Sequence, residues 1–119
     1  MALTAMDLVA LAKQSIREID VESAKNSLNK SLILDVREPA EFAAGHLPEA
    51  INIPRGVLEF KIANHPSFQN QQAEIIVYCQ SGGRSALATE ALSKLGYSNA
   101  VSMAGGFNLW QASGFQISS

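Results

Sequence analysis

The residues best suited to chemistry are Cys79-Gln80-Ser81-Gly82-Gly83-Arg84, one stretch holding a thiol, paired glycines and a guanidinium. The apolar run Ile75-Ile76-Val77-Tyr78 precedes it, and an amphipathic run follows from Ser85. This pattern predicts a strand, a tight loop and a helix. The first N–H groups of a helix lack intrahelical acceptors, and the macrodipole places partial positive charge there. A cysteine facing those donors is favoured as the thiolate, the nucleophilic form. Gly82 and Gly83 permit the positive φ values and close backbone approach that curl N–H groups inward. The expected anion hole is the backbone from Gln80 through Ser81, Gly82 and Gly83 to Ser85. Arg84 adds a permanent cation, either folded over the pocket or turned outward to pin the loop.

A lone cysteine is often only a small core residue, and Gly-Gly is often only a chain reversal. Here both coincide with arginine at a strand-to-helix junction, which marks the loop as functional. Ligands of open parallel sheets bind at the carboxyl ends of strands, where this loop lies.

The elements that must hold the loop are readable in outline. Thr4 and Asp7 suit a helix start, predicting a short helix over residues 4–12 that packs through Leu8, Leu11 and Ala12. Met1 to Ala12 lacks a basic start and is interrupted by Asp7, so it reads as an amphipathic helix and not as a signal segment. Residues 1–14 are taken as an N-terminal helical extension and 15–119 as the main domain. Ser15 to Ile19 alternates like a half-buried strand, and Asp20 caps a helix running to about Asn29.

Leu32 to Val36 is expected as a central parallel strand, and Glu38 to Ala44 as a short helix stopped by Gly45. Ala50 to Ile53 is a third strand, Arg55 to Ala63 a helix, and Asn64 to Gln72 a surface loop. Glu74 to Tyr78 is the strand feeding the loop, Ser85 to Leu95 the helix leaving it, and Gly96 its stop. Ala100 to Met103 is a fifth strand, followed by a Gly105-Gly106 turn and a short helix to Ala112. The alternation predicts an α/β three-layer sandwich with a central parallel sheet of about five strands flanked by helices.

Other candidates have defined expectations. Asp35 and Arg37 follow an equivalent strand end and pair as an ion pair that fixes the loops, or else contact substrate. Arg55, just after Pro54, either reaches over the same face to attract an anionic donor or is solvated. His46 braces its turn; His65 is solvated. Neither histidine has the spacing of a metal ligand set. Phe107 and Trp110 are expected in core or rim packing.

The chain has 119 residues, 47% hydrophobic and 17% charged, with a net charge of −2. This fits one domain with a single core and leaves no basic footprint for nucleic acid. The single cysteine excludes an internal disulfide, and no tract approaches the roughly 20 apolar residues that span a bilayer. A reducing compartment, the cytoplasm, is the expectation, with neither nucleic acid nor membrane as partner.

From about Ile16 to Trp110 the sequence resembles the rhodanese-like sulfurtransferases. Three motifs carry the resemblance in the family's order: Leu32-Ile33-Leu34-Asp35-Val36-Arg37-Glu38-Pro39-Ala40-Glu41-Phe42 with Gly45-His46-Leu47-Pro48; Tyr78-Cys79-Gln80-Ser81-Gly82-Gly83-Arg84-Ser85-Ala86; and Gly105-Gly106-Phe107 with Trp110. The resemblance implies a Cys79 persulfide that carries sulfur from a sulfane donor to a thiol or cyanide, without metal or organic cofactor. Cys79 and Arg84 would be catalytic, and His46 a brace. Because no second thiol is available within the chain, the acceptor comes from outside, as a small thiol or a partner protein.

Two other classes stay open. One is a sulfur-relay or protein-binding module without turnover. The other is a cysteine-dependent phosphatase or arsenate reductase, whose Cys-x5-Arg loop is one residue longer than Cys79-x4-Arg84 and better sized for a tetrahedral anion. Two departures stand out. Glu49 occupies the position after the His-x-Pro turn where many relatives have glycine, and the loop carries Ser81 and no lysine. The second departure favours glutathione or protein persulfides as donors alongside thiosulfate.

Overall fold

Short apolar runs separated by amphipathic segments fold into alternating strands and helices, and the computed structural model, which describes residues 2–119, has that order. It runs α1 (Ala5–Ser15), β1 (Glu18–Ile19), α2 (Val21–Asn26), β2 (Leu32–Asp35), α3 (Pro39–Ala44) and β3 (Ile51–Asn52). Then come α4 (Leu58–Lys61), β4 (Ile75–Tyr78), α5 (Gly83–Lys94), β5 (Ala100–Met103) and α6 (Gly106–Ala112). Met1, at the start of the expected extension, lies outside the described residues.

All strand pairs are parallel, in the order β1-β5-β4-β2-β3, so the five-stranded sheet has β4 at its centre. The continuous apolar run of β4 is explained by this position: all its residues are buried, because helices cover both faces. Ile33, Ile76, Tyr78, Val101 and Met103 face Val21 and Ala24 of α2 and Phe107 and Trp110 of α6. Leu34, Ile75 and Val77 face Leu58, Ile62 and Phe68 together with Ala88 and Leu92 of α5. The two sets alternate along each strand, as the two-residue period requires. In register, Asp35 lies opposite Tyr78, so the Asp35-Val36-Arg37 turn and the Cys79 loop leave the sheet side by side.

Several local expectations hold for the stated reasons. Thr4 accepts the Asp7 N–H while Asp7 accepts the Thr4 N–H, closing a capping box on α1. Asp20 accepts the Ser23 N–H at 2.8 Å and caps α2, and that hydrogen bond holds its carboxyl below its ordinary range.

Other expectations need correction. α1 continues through Ser15, so the proposed strand from Ser15 shrinks to Glu18–Ile19 and a boundary at residue 14 falls inside the last turn of α1. Val9 and Ala12, not Leu8 and Leu11, pack α1 against Ala86 of α5, because 9, 12 and 16 form the stripe that meets it. α2 ends at Asn26, three residues early. The helix expected over Arg55–Ala63 is a 3₁₀ turn (Arg55–Val57), the single α turn of α4, and another 3₁₀ turn (Ile62–Asn64). Phe60, an aromatic residue in this stretch, is 82% exposed. The supposed surface loop over 64–72 drives Phe68 into the core, on a 3₁₀ turn (Pro66–Phe68) whose first residues are capped by His65 accepting the Ser67 N–H. His65 is therefore half-buried and engaged, not simply solvated. No helix among the described residues is long and apolar enough to cross a membrane.

Candidate active site

Cys79 is the first residue past β4, and it is 1% exposed, on the sheet face that packs α5. Its sulfur is not sealed in apolar packing alone. The Gly82 N–H donates to Sγ at 3.1 Å, and Ser85 Oγ lies 3.5 Å from it. Gly82, with φ of 119°, makes the reversal that turns its N–H back on the sulfur, a backbone state that suits glycine. Gly83 does not share this role: it opens α5 with φ outside the left-handed region, a correction to the expectation that both glycines need positive φ. Gly83, Arg84 and Ser85 are the first turn of α5, whose N–H groups have no intrahelical acceptor.

The loop is held from outside by α6. The Phe107 N–H donates to Cys79 O at 2.8 Å and the Asn108 N–H to Gln80 O at 3.0 Å. In a trans peptide C=O and N–H point in opposite directions. Fixing these carbonyls on α6 therefore turns the Gln80 and Ser81 N–H groups away from α6. This close approach explains Gly106, where a Cβ would stand 2.6 Å from both Cys79 O and Gln80 O, whereas a Cβ on Gly105 would clash with the Leu109 side chain. Ser81 is exposed at the tip of the loop.

Asp35 and Arg37 form the buried ion pair, with Arg37 Nη2 2.8 Å from Asp35 Oδ2 and Nε 3.1 Å from both carboxylate oxygens. Burial opposes the charge on Arg37, but the hydrogen bonds and the charge of Asp35 outweigh it and raise the guanidinium's pKa. Arg37 also donates to Gly45 O at 2.7 Å and to Gln80 Oε1 at 3.0 Å, and Gln80 in turn donates to Asn108 Oδ1. The guanidinium lies over the Phe107 ring at 4.4 Å. Arg37 thus ties β2, α3, the cysteine loop and α6 together. Beside it Tyr78 OH accepts the Leu47 N–H at 3.1 Å, and burial pushes the phenol's pKa up.

Arg84 points outward. Its Nη1 and Nη2 bind the two carboxylate oxygens of Glu41 at 2.8 and 3.0 Å, a fork that pins α5 to α3. The hydrogen bond from Arg84 holds the Glu41 carboxyl at about 2, well below the usual range. Glu41 also accepts the Glu38 N–H and so closes the start of α3. A groove of about 310 Å³ opens beside the loop, walled by Arg37, Glu41, Gln80, Phe107 and Gln111.

Arg55 is placed otherwise. Its Nη1 is 3.0 Å from both oxygens of Glu59, and no hydrogen bond among the described residues links its side chain to the loop. His46 donates its Nδ1–H to Leu47 O at 2.9 Å, stacks on Phe42 and pairs its backbone with Ser118. Phe107 and Trp110 are buried.

Sequence reasoning missed Glu41, Asn108 and Ser102. Ser102 lies fully buried in β5, with Oγ 2.8 Å from Ser85 Oγ beneath the cysteine. A hydroxyl in the middle of an apolar strand was a signal that a buried partner must exist. Nothing local in the sequence marks Glu41 as the partner of Arg84.

A central parallel strand ending in a cysteine that receives N–H donation at a helix N-terminus defines a class by its fold and site, the α/β domains with a thiol cradled at a strand-to-helix turn. Within it the chain belongs to the rhodanese-like domain family, whose pattern matches residues 20–113. It is 31% identical over 105 residues to a sulfurtransferase of Allochromatium vinosum, covering 86% of this chain and 94% of that one. It is 32% identical over 113 residues to the thiosulfate:glutathione sulfurtransferase of Saccharomyces cerevisiae, covering 84% and 81%. Among solved structures, it superposes with a TM-score of 0.90 at 28% identity on a Rhodopseudomonas palustris protein of unknown function described as a possible tyrosine phosphatase, covering 99% and 96%.

Proposed function

We propose that the chain is a sulfurtransferase working through a Cys79 persulfide. The observation that carries this reading is the Gly82 N–H donating to Cys79 Sγ at the mouth of α5, which stabilises negative charge on a nucleophilic sulfur. The thiolate attacks the outer sulfur of a sulfane donor, forming the new S–S bond. The donor's own sulfur–sulfur bond breaks with its electron pair, releasing sulfite from thiosulfate or a thiolate from a persulfide. A thiol or cyanide then attacks the outer sulfur of the Cys79 persulfide and regenerates the thiolate. No cofactor enters either half.

The added sulfur extends the reactive atom by about 2 Å beyond Sγ. That extension lets a buried cysteine hand its cargo to an acceptor at the loop mouth, whether a small thiol or a segment of a partner protein. Because Arg84 is neutralised by Glu41, charge at the loop is met mainly by peptide dipoles. This supports low-molecular-weight persulfides as donors alongside thiosulfate, while the S. cerevisiae relative's name pairs thiosulfate with glutathione and so supports a small thiol as acceptor.

Phosphatase chemistry, suggested by the R. palustris description, fits less well. The loop is one residue shorter than Cys-x5-Arg, and Arg84 faces Glu41 where a phosphate would need it turned inward. A non-catalytic relay module would load Cys79 in the same way but show no steady-state turnover. Initial rates with thiosulfate and cyanide separate these readings: ping-pong kinetics that vanish in Cys79→Ser support sulfur transfer, whereas aryl phosphate turnover that vanishes instead supports the phosphatase.

A further inference from the structure

We infer that Ser102 is a positioning residue that directs the Ser85 hydroxyl proton onto the Cys79 sulfur; the inference deepens the sulfurtransferase reading and rests on it. Ser102 is fully buried in β5, and its hydroxyl has one hydrogen-bond neighbour among the described residues, Ser85 Oγ at 2.8 Å. A buried hydroxyl proton with no acceptor is costly, whereas an oxygen with an unused lone pair is tolerated. Had Ser85 been the donor in this pair, the Ser102 proton would have nowhere to go. Ser102 is therefore the donor and Ser85 the acceptor.

This assignment leaves Ser85 with its own proton and two possible acceptors, Gly82 O at 3.2 Å and Cys79 Sγ at 3.5 Å. With Cys79 as the thiol, S–H donates to Ser85 Oγ and Ser85 donates to Gly82 O. When the thiol ionises, the S–H donation disappears and the Ser85 hydroxyl rotates to donate to the sulfur anion. Throughout, Ser102 occupies the Ser85 lone pair from below and prevents that proton from turning into the sheet. The sulfur anion then receives two donors, the Gly82 N–H and the Ser85 O–H. Ser102 never touches the substrate.

The alkylation of Cys79 by iodoacetamide reads thiolate directly and does not depend on sulfur transfer. Removing the Ser102 hydroxyl should slow alkylation near neutral pH by about threefold, the scale of a weakened hydrogen bond to an anion. At strongly alkaline pH, where the thiol is ionised in both proteins, Ser102→Ala and the parent should react equally. Ser102→Thr keeps the hydroxyl in a position that suits a β-branched residue and should behave as the parent. In a Ser85→Ala background the Ser102→Ala change should have no further effect on the neutral-to-alkaline rate ratio, because the coupling runs through Ser85. An unchanged ratio in Ser102→Ala, equal slowing at both pH values, a Thr variant as slow as Ala, or a full effect without Ser85 would each overturn the inference. Sulfur transfer retained in Cys79→Ser would instead defeat the underlying reading, whatever the alkylation rates.

Discussion

Gly106 touches the backbone of Cys79: a methyl group on its Cα would stand 2.6 Å from the cysteine carbonyl oxygen. The closeness lets α6 donate two N–H groups to the loop and fix its peptide planes. Gly106→Ala forces the loop off α6 and adds strain at a φ of 58°. We expect a loss of about 1–3 kcal/mol in denaturant unfolding and at least a tenfold fall in sulfur-transfer turnover. Gly83→Ala is the control. Its Cβ would meet Val9 Cγ2 at 3.5 Å, an ordinary contact, so turnover should stay close to that of the parent.

Asp35 and Arg37 make a second prediction. Asp35→Asn leaves a guanidinium buried among Tyr78, Phe107 and Gly45 without its counter-charge. Removing one partner of such a pair costs about 3–5 kcal/mol, which should appear as a large drop in the urea midpoint. Turnover should fall with it, because Arg37 also holds Gln80.

The Glu41–Arg84 fork sets an acid response. The folded-state Glu41 carboxyl titrates at about 2 against an ordinary value of 4.5, chiefly through the hydrogen bond from Arg84. A lowered carboxyl adds stability that is fully present above the ordinary value and is lost as pH falls through the folded one. Stability should therefore decline between pH 4.5 and about 2. With both side chains about a third exposed, solvent screening limits this contribution to about 1 kcal/mol or less. Glu41→Gln should remove that part of the acid dependence in pH-resolved urea titrations, leaving the two proteins alike at the acid limit.

Glu49 carries a φ of 65° at the turn after Pro48, the only positive φ outside glycine among the described residues. The left-handed state costs a side chain about 1–2 kcal/mol, offset for glycine by about 0.5–1 kcal/mol of unfolded-state entropy. Glu49→Gly should accordingly raise stability by about 0.5–1 kcal/mol in thermal unfolding with turnover unchanged.

These cases show where sequence was informative. β4 and β5 were legible almost to the residue because strands covered on both faces read as nearly continuous apolar runs, interrupted in β5 by Ser102 alone. The cysteine loop was legible because its chemistry is local: strand end, thiol, glycine reversal and helix start are adjacent in the chain. Glu49 stood out only against the glycine that many relatives carry there; its positive φ came from the structure. Arg84 and Glu41, or Ser85 and Ser102, meet only through the packing of α3 and β5 around the loop, so no short-range pattern paired them. Phe68 was hidden in a stretch of amides and proline whose composition outweighed one aromatic residue. Ser15 misled because alternation over five residues also fits the end of a helix.

The central claim is that Cys79 accepts a single sulfur atom, and intact-mass spectrometry after exposure to thiosulfate or glutathione persulfide tests it most directly. The account predicts a mass gain of one sulfur atom located on the Cys79 peptide, lost on adding cyanide and absent from Cys79→Ser. An unchanged mass with every sulfane donor, or the same gain in Cys79→Ser, would contradict it.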